Sequence, residues 1–209
     1  MPMRHLRDLL LPIAIVAGAS YFLIPHDALA EGLRAAMKAS GVGLLAFWTL
    51  LCIGKTPGRW IALVLALSAV GDALIDIAGL TAGALAFLAG HLVAIWFYLN
   101  HRRATLAFAL PIALTIAGTA WLLPTNRGIA MGVAVYTLAL GAMTATACIS
   151  RYPRAFVGFG AVLFAASDLL LFARMGPLAA SALPGLLVWP LYFVGQTLIA
   201  VGVVRTEAA

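Results

Sequence analysis

Long apolar runs, separated by short polar or proline- and glycine-containing breaks, follow one another along the whole chain. Runs of about 20 residues are long enough to cross the ~30 Å hydrocarbon core of a bilayer as helices. In lipid a helix satisfies its own backbone polar groups, and a transmembrane barrel would need short alternating segments that the chain lacks. The pattern predicts one all-α domain, a polytopic transmembrane helix bundle of about eight spans. The predicted spans are approximately 9–24, 35–53, 60–78, 82–99, 104–122, 128–149, 155–172 and 186–204.

Composition supports a membrane protein. The chain is 64% hydrophobic and 10% charged with mean hydropathy +1.07, whereas a soluble domain carries about 25% charged residues. The basic N-terminus followed by an apolar run resembles a signal peptide, but we interpret it as an uncleaved first helix because its charges fit the topology below. The net charge of +6 does not predict nucleic-acid binding, since the basic residues alternate with spans rather than forming one patch.

The positive charges orient the bundle. With the N-terminus inside, nine basic residues fall on the inner side: Arg4, Arg7, Lys55, Arg59, Arg102, Arg103, Arg151, Arg154 and Arg205. Three fall on the outer side: Arg34, Arg127 and Arg174. The positive-inside rule therefore favours an N-in and C-in topology, and we expect an integral protein of a bacterial plasma (inner) membrane.

Three aspartates lie inside predicted spans: Asp72, Asp76 and Asp168. A charged side chain at the centre of a span costs about 2.5–3.5 kcal/mol on insertion scales, so such residues face the bundle interior and are functional candidates. At 1.5 Å per residue, Asp72 lies about 18 Å and Asp168 about 20 Å along helices that both enter from the inside. We therefore predict that the two carboxyls share a depth, and Asp76 lies nearer the outer end. The alternative is that each aspartate only bonds a neighbouring helix.

His91 and Gln196 reach a similar level, Tyr192 lies one turn above, and Lys38 lies near the outer start of helix two, so we expect these groups to form one constellation in the outer half of the membrane. Ser68, Asp72 and Asp76 are spaced by four and share one face of the third helix. The predicted supporting residues are Lys38, His91, Tyr98, Tyr192 and Gln196. Each also has a purely structural interpretation: a snorkelling lysine, an interfacial tyrosine, or a histidine or glutamine that joins two helices.

Neighbouring carboxyls resist double ionisation, so one can act as an acid and the other as a base. We predict no metal site and no cofactor, because only one histidine is deep in a span and no His-Glu-x-x-His or Gly-x-Ser-x-Gly motif occurs. Intramembrane aspartyl proteases are excluded, since Ala69 replaces the first glycine of their Gly-x-Gly-Asp motif and Ser167, not tyrosine, precedes Asp168. An aspartate-dependent hydrolase and a proton-coupled transporter both remain.

Several short segments, in order, resemble the lysoplasmalogenase (YhhN-like) family of eight-span membrane proteins. They are Lys38 at the start of helix two, Gly71-Asp72, Phe87 to His91 with Tyr98, AVLFAASDLLLF around Asp168, and YFVGQTLIAVG around Gln196. Ala39-Ser40 follows Lys38 where the family pattern has Pro-Leu.

The resemblance implies hydrolysis of the vinyl-ether bond of lysoplasmalogens to a fatty aldehyde and glycerophosphocholine or glycerophosphoethanolamine. It implies a lysophospholipid-type ether lipid and membrane lipids as partners. Our hypothesis is that Asp72 and Asp168 carry the roles of catalytic acid and base, in either order. The main alternative is a proton-coupled transporter or lipid-binding membrane protein that uses the intramembrane aspartates.

Overall fold

The computed structural model describes residues 2–24, 29–54 and 56–208, and the side chains of residues 2–4 and 108 are outside that description. Lys55, counted above as an inner charge, also lies outside the described residues. The described ranges are helical and contain no β-strand, which confirms the all-α prediction. The eight α-helices are α1 Pro2–Leu23, α2 Glu31–Cys52, α3 Thr56–Ala78, α4 Leu80–Asn100, α5 Ala109–Leu122, α6 Arg127–Ile149, α7 Phe159–Ala173 and α8 Leu183–Glu207.

Seven of these helical segments are long and apolar enough to cross a membrane, and α5 is shorter, with 14 residues. A 3₁₀ turn at Leu106–Phe108 precedes α5, and a π-helical turn at Arg154–Gly158 precedes α7. The helix α1 begins seven residues before the predicted start at residue 9. Its first residue is a proline, which suits the first helical position, and no breaker lies between Pro2 and the apolar run.

The described chain forms two compact units, and the first comprises the described residues within 1–94 and 200–209. In it, α2 packs against both α1 and α3. Gly79 alone separates α3 from α4, and its φ of 86° lies in the left-handed region that glycine adopts without strain. The two helices then run close together, since a Cβ on Gly71 would lie 2.7 Å from the Phe87 ring and one on Gly83 would lie 2.8 Å from the Gly71 carbonyl oxygen.

The second unit comprises residues 95–199. Close contacts again occur at glycines: a Cβ on Gly141 of α6 would meet Ala113 of α5 at 2.8 Å, and one on Gly160 of α7 would meet the Gly195 carbonyl oxygen of α8 at 2.6 Å. Small residues at such positions let helix backbones approach, which favours association of helices in lipid.

Two loops of the second unit are joined through their main chains. The Arg151 amide donates to the His101 carbonyl at 2.7 Å, and the Arg103 amide donates to the Ile149 carbonyl at 2.9 Å. Arg102 and Ser150 thereby form an isolated antiparallel bridge. We call this pairing of residues 101–103 with 149–151 the loop bridge.

Large apolar side chains are exposed on the outer faces of the helices. Val16 and Leu23 of α1 are 67% and 75% exposed, and Leu122 and Met131 are each 68% exposed. Apolar surface of this extent is unfavourable in water and suits contact with lipid chains. Together with the seven long apolar helices, it identifies an integral membrane protein.

Candidate functional site

The first unit holds a cluster of charged side chains between α2 and α3. The Lys38 ammonium donates to Asp76 Oδ1 at 3.4 Å, and Arg34 Nε lies 3.7 Å from Asp76 Oδ2. The Lys38 ammonium also lies 6.0 Å from the centre of the Tyr21 ring of α1, within the range of a cation–π contact. Arg34 and Lys38 are four residues apart and so share one face of α2, which brings both cations to one carboxylate.

Asp72 lies one turn before Asp76 on α3 and is 2% exposed. Ser68, one further turn back, is buried and donates its hydroxyl to the Val64 carbonyl at 3.0 Å. The predicted stripe at residues 68, 72 and 76 is therefore an interior face of α3.

His91 of α4 is also buried in the first unit. The glycine one residue before it lies against α3, with its Cβ position 3.5 Å from Leu67 Cβ. His91 is therefore on the part of α4 that packs close to α3, and its side chain is buried inside the protein.

Asp168 belongs to the second unit, on α7, and is 7% exposed. The Tyr136 hydroxyl of α6 donates to Asp168 Oδ2 at 2.7 Å, which is the distance of a strong O–H to carboxylate bond. The Phe172 ring packs edge-on against Tyr136 with 5.7 Å between centroids. Next to Asp168, the Ser167 hydroxyl donates to the Val188 carbonyl of α8 at 2.8 Å. The carboxyl of Asp168 is thus held in an apolar setting by a tyrosine donor.

Tyr192 and Gln196 are one turn apart on α8 and both are buried. The Tyr192 ring packs edge-on against Phe164 at 5.1 Å and lies 5.5 Å from the Trp189 ring. Gln196 is 1% exposed, and it is the only glutamine in the chain. Tyr192 therefore lies in an aromatic cluster inside the second unit, and Gln196 is a buried amide one turn further along α8.

Tyr98 has a different environment. It is buried and its ring packs edge-on against Phe97 at 5.4 Å and against Tyr152 at 6.4 Å. Phe97 stacks on Tyr152 and lies 4.7 Å from the His101 ring, whose Nδ1 is 2.8 Å from the Phe97 carbonyl. The contacts described for Tyr98 are therefore aromatic packing beside the loop bridge.

Among the predicted site residues, the structure brings Lys38 and Asp76 into direct contact and places Asp72 and His91 in the same unit. Asp168, Tyr98, Tyr192 and Gln196 belong to the second unit. Within the described ranges, no three His, Cys, Asp or Glu side chains converge as a metal-binding group.

Three residues in these clusters were not predicted from the sequence: Tyr21, Arg34 and Tyr136. Arg34 was counted only as an outer charge, although its spacing of four from Lys38 places both cations on one helix face at the end where Asp76 lies. Tyr136 is the only tyrosine within the long apolar helix α6, and its depth in that helix was the available signal. Tyr21 had no distinguishing pattern in the sequence.

Comparisons with known proteins cover most of the chain. The model of the YhhN family matches residues 33–203. Two proteins named lysoplasmalogenase, from Mycobacterium bovis and Mycobacterium tuberculosis, are each 33% identical to the chain over 183 residues, covering 81% of this chain and 70% of their own length. No solved structure is significantly similar. The extent of the family match and of both alignments shows that the chain belongs to the YhhN family.

Proposed function

We propose that the protein is a membrane-embedded lysoplasmalogenase, which hydrolyses the vinyl-ether bond of a lysophospholipid-type ether lipid in a bacterial inner membrane. The products are a fatty aldehyde and glycerophosphocholine or glycerophosphoethanolamine. The two mycobacterial relatives of that name support the reaction class. The observation that carries the chemistry is the burial of Asp72 and Asp168 within apolar helices. Inserting a carboxyl group there costs free energy, so such residues are candidates for a functional role.

The reaction needs proton transfers and one water molecule. A carboxylic acid donates its proton to the vinyl carbon remote from the ether oxygen, and the double-bond electrons form an oxocarbenium ion. A carboxylate stabilises this cation and takes a proton from water as the water oxygen bonds to the cationic carbon. The resulting hemiacetal loses the glycerol oxygen as an alcohol, which gains a proton, and the aldehyde is released.

We assign the two proton-transfer roles to Asp72 and Asp168. The Tyr136 hydroxyl bond fixes the Asp168 carboxyl in one orientation, which suits a group that must meet a reacting atom within hydrogen-bond distance. Lys38, Asp76, His91, Tyr98, Tyr192 and Gln196 are assigned supporting roles in binding the substrate or holding the carboxyls.

The test is aldehyde release from lysoplasmenylcholine by the purified protein in detergent. We expect Asp72→Asn and Asp168→Asn each to lower the rate by at least about 100-fold, because general acid–base catalysis contributes about 10²–10⁴-fold. Asp8→Asn is the matched control, since Asp8 is exposed near the start of α1, and it should retain the wild-type rate.

Wild-type activity that survives both substitutions would contradict the aspartate assignment. No aldehyde from folded wild-type protein would contradict the hydrolase itself. Proton uptake into liposomes containing the protein would then identify the transporter alternative.

A further inference from the structure

The cluster of Arg34, Lys38 and Asp76 contains two cations and one carboxylate. These side chains are largely enclosed: Lys38 and Asp76 are 13% and 12% exposed, and Arg34 is 30% exposed. Within the described part of the chain, Asp76 is the only side chain at ion-pair distance from either cation. With Asp76 ionised, these three side chains together carry one surplus positive charge.

The ion pairs are long. Charge-assisted N–H to carboxylate bonds are ordinarily about 2.7–2.9 Å, whereas these contacts are 3.4 and 3.7 Å, and Asp76 Oδ2 accepts no hydrogen bond from any described residue. A lysine has three N–H donors and an arginine five. Asp76 thus holds the two cations close together, and most of their N–H groups form no hydrogen bond with it.

We propose that Arg34 and Lys38 bind the phosphate of a lysophospholipid head group, with Asp76 as the residue that positions them. This inference rests on the proposed function for the identity of the lipid. A phosphodiester monoanion matches the surplus charge, and its oxygens match the donors of a guanidinium and an ammonium. The enclosed setting strengthens both interactions relative to water.

The position of this phosphate site agrees with the site of the chemistry. Asp72 precedes Asp76 by four residues, an axial distance of about 6 Å along α3. About seven bonds separate the phosphorus from the vinyl carbon that is protonated, and an extended chain advances about 1.2 Å per bond, giving about 8 Å. A lipid with its phosphate at Arg34 and Lys38 therefore reaches the level of Asp72 with its vinyl ether.

Binding of a lipid that the proposed reaction does not cleave tests this site independently of catalysis. The probe is a saturated 1-O-alkyl lysophosphocholine, compared with the 1-O-alkylglycerol of the same chain, which lacks the phosphate. We expect the wild-type protein to bind the phosphate lipid at least tenfold more tightly. Arg34→Gln and Lys38→Gln should each lower that affinity about 10- to 100-fold and leave alkylglycerol binding unchanged.

Lys38→Arg should keep most of the wild-type affinity for the phosphate lipid, because arginine keeps the positive charge and has more N–H donors than lysine. Arg59→Gln is the matched control: it removes an exposed cation near the other end of α3 and should change neither affinity. Unchanged alkylglycerol binding also shows that a variant is folded. Free glycerol 3-phosphate, added at the same concentration as the alkyl lysophosphocholine, should not displace that lipid. The reason is that the site binds a phosphate attached to a lipid chain, which contributes to the affinity.

Equal wild-type affinity for the two lipids, or glutamine variants that keep the preference for the phosphate lipid, would overturn the phosphate site. Displacement by equimolar glycerol 3-phosphate would overturn its assignment to a lipid head group. None of these outcomes depends on aldehyde release, so failure of the hydrolase proposal would be recognised separately.

Discussion

At the scale of single residues, the hydrogen bond from Tyr136 to Asp168 is the polar contact that holds a buried carboxyl of the second unit. A neutral hydroxyl donating to a carboxylate at 2.7 Å contributes about 1.5–3 kcal/mol. We expect Tyr136→Phe to lower the rate of aldehyde release about 10- to 100-fold, because the Asp168 carboxyl loses its only described hydroxyl donor and its fixed orientation. The measurement is the rate of aldehyde release as a function of pH. Loss of folded protein alone would lower the rate without changing the shape of this pH profile.

Tyr152→Phe is the control for the loss of a buried tyrosine hydroxyl, because Tyr152 packs in the aromatic cluster around Phe97. It should keep the wild-type pH profile. If Tyr136→Phe retains both the wild-type rate and pH profile, the contact with Asp168 has no role in the reaction.

The contacts between individual side chains were the features least predictable from the sequence. The depth of Asp168 followed from counting residues along an apolar run, but its partner lies 32 residues away on another helix. That pairing depends on how α6 and α7 are rotated, which a hydrophobic run without a clear polar face does not fix. The ion pair of Lys38 with Asp76 depends in the same way on the packing of α2 against α3.

At the scale of helices, stability depends on glycines where backbones meet. A Cβ on Gly160 would lie 2.6 Å from the Gly195 carbonyl oxygen and 3.1 Å from Ile199 and Leu198. Backbone cannot move away as a flexible side chain does, so we expect Gly160→Ala to destabilise the protein by about 1–3 kcal/mol, the usual cost of overpacking. Unfolding in detergent, followed by thermal or denaturant titration, measures this loss.

Gly132→Ala is the matched control in α6, because no atom lies within 4 Å of its Cβ position. Alanine is the better helix former by up to about 1 kcal/mol, so this variant should be at least as stable as the wild type. Equal stability of the two variants would contradict the close contact between α7 and α8.

The helices themselves were largely predictable. Long apolar runs bounded by proline, glycine and charge gave all eight, because the need to satisfy backbone groups in lipid leaves helix as the available structure. The exceptions are the ends. Residues 2–8 continue α1 although they include the charged Arg4, Arg7 and Asp8. Near the start of two predicted spans, a 3₁₀ turn and a π-helical turn replace α-helix. Such turns depend on local packing rather than on hydropathy.

At the scale of the whole molecule, the topology depends on α5. Its 14 residues span about 21 Å, and the preceding 3₁₀ turn adds about 6 Å, which together approach the ~30 Å core. We therefore expect α5 to cross the membrane and both termini to lie in the cytoplasm. A C-terminal fluorescent protein should then be fluorescent, and alkaline phosphatase fused after Asn126, between α5 and α6, should be active.

An active alkaline phosphatase at the C-terminus would contradict this topology. A fusion after Ser150, between α6 and α7, is the matched control and should give no phosphatase activity. The excess of basic residues at the inner ends supplies the physical reason for the expected orientation.

The loop bridge limits which sequence changes the two loops at residues 101–103 and 149–151 can accept. Its hydrogen bonds join main-chain groups only, between His101 and Arg151 and between Arg103 and Ile149. Side chains at positions 102, 103 and 150 can therefore be exchanged without removing the pairing, except for proline at 103 or 151, which lacks the donor. Insertion or deletion of one residue would shift the donors out of register. Divergence among descendants of this chain is thus freer in the composition of these two loops than in their length.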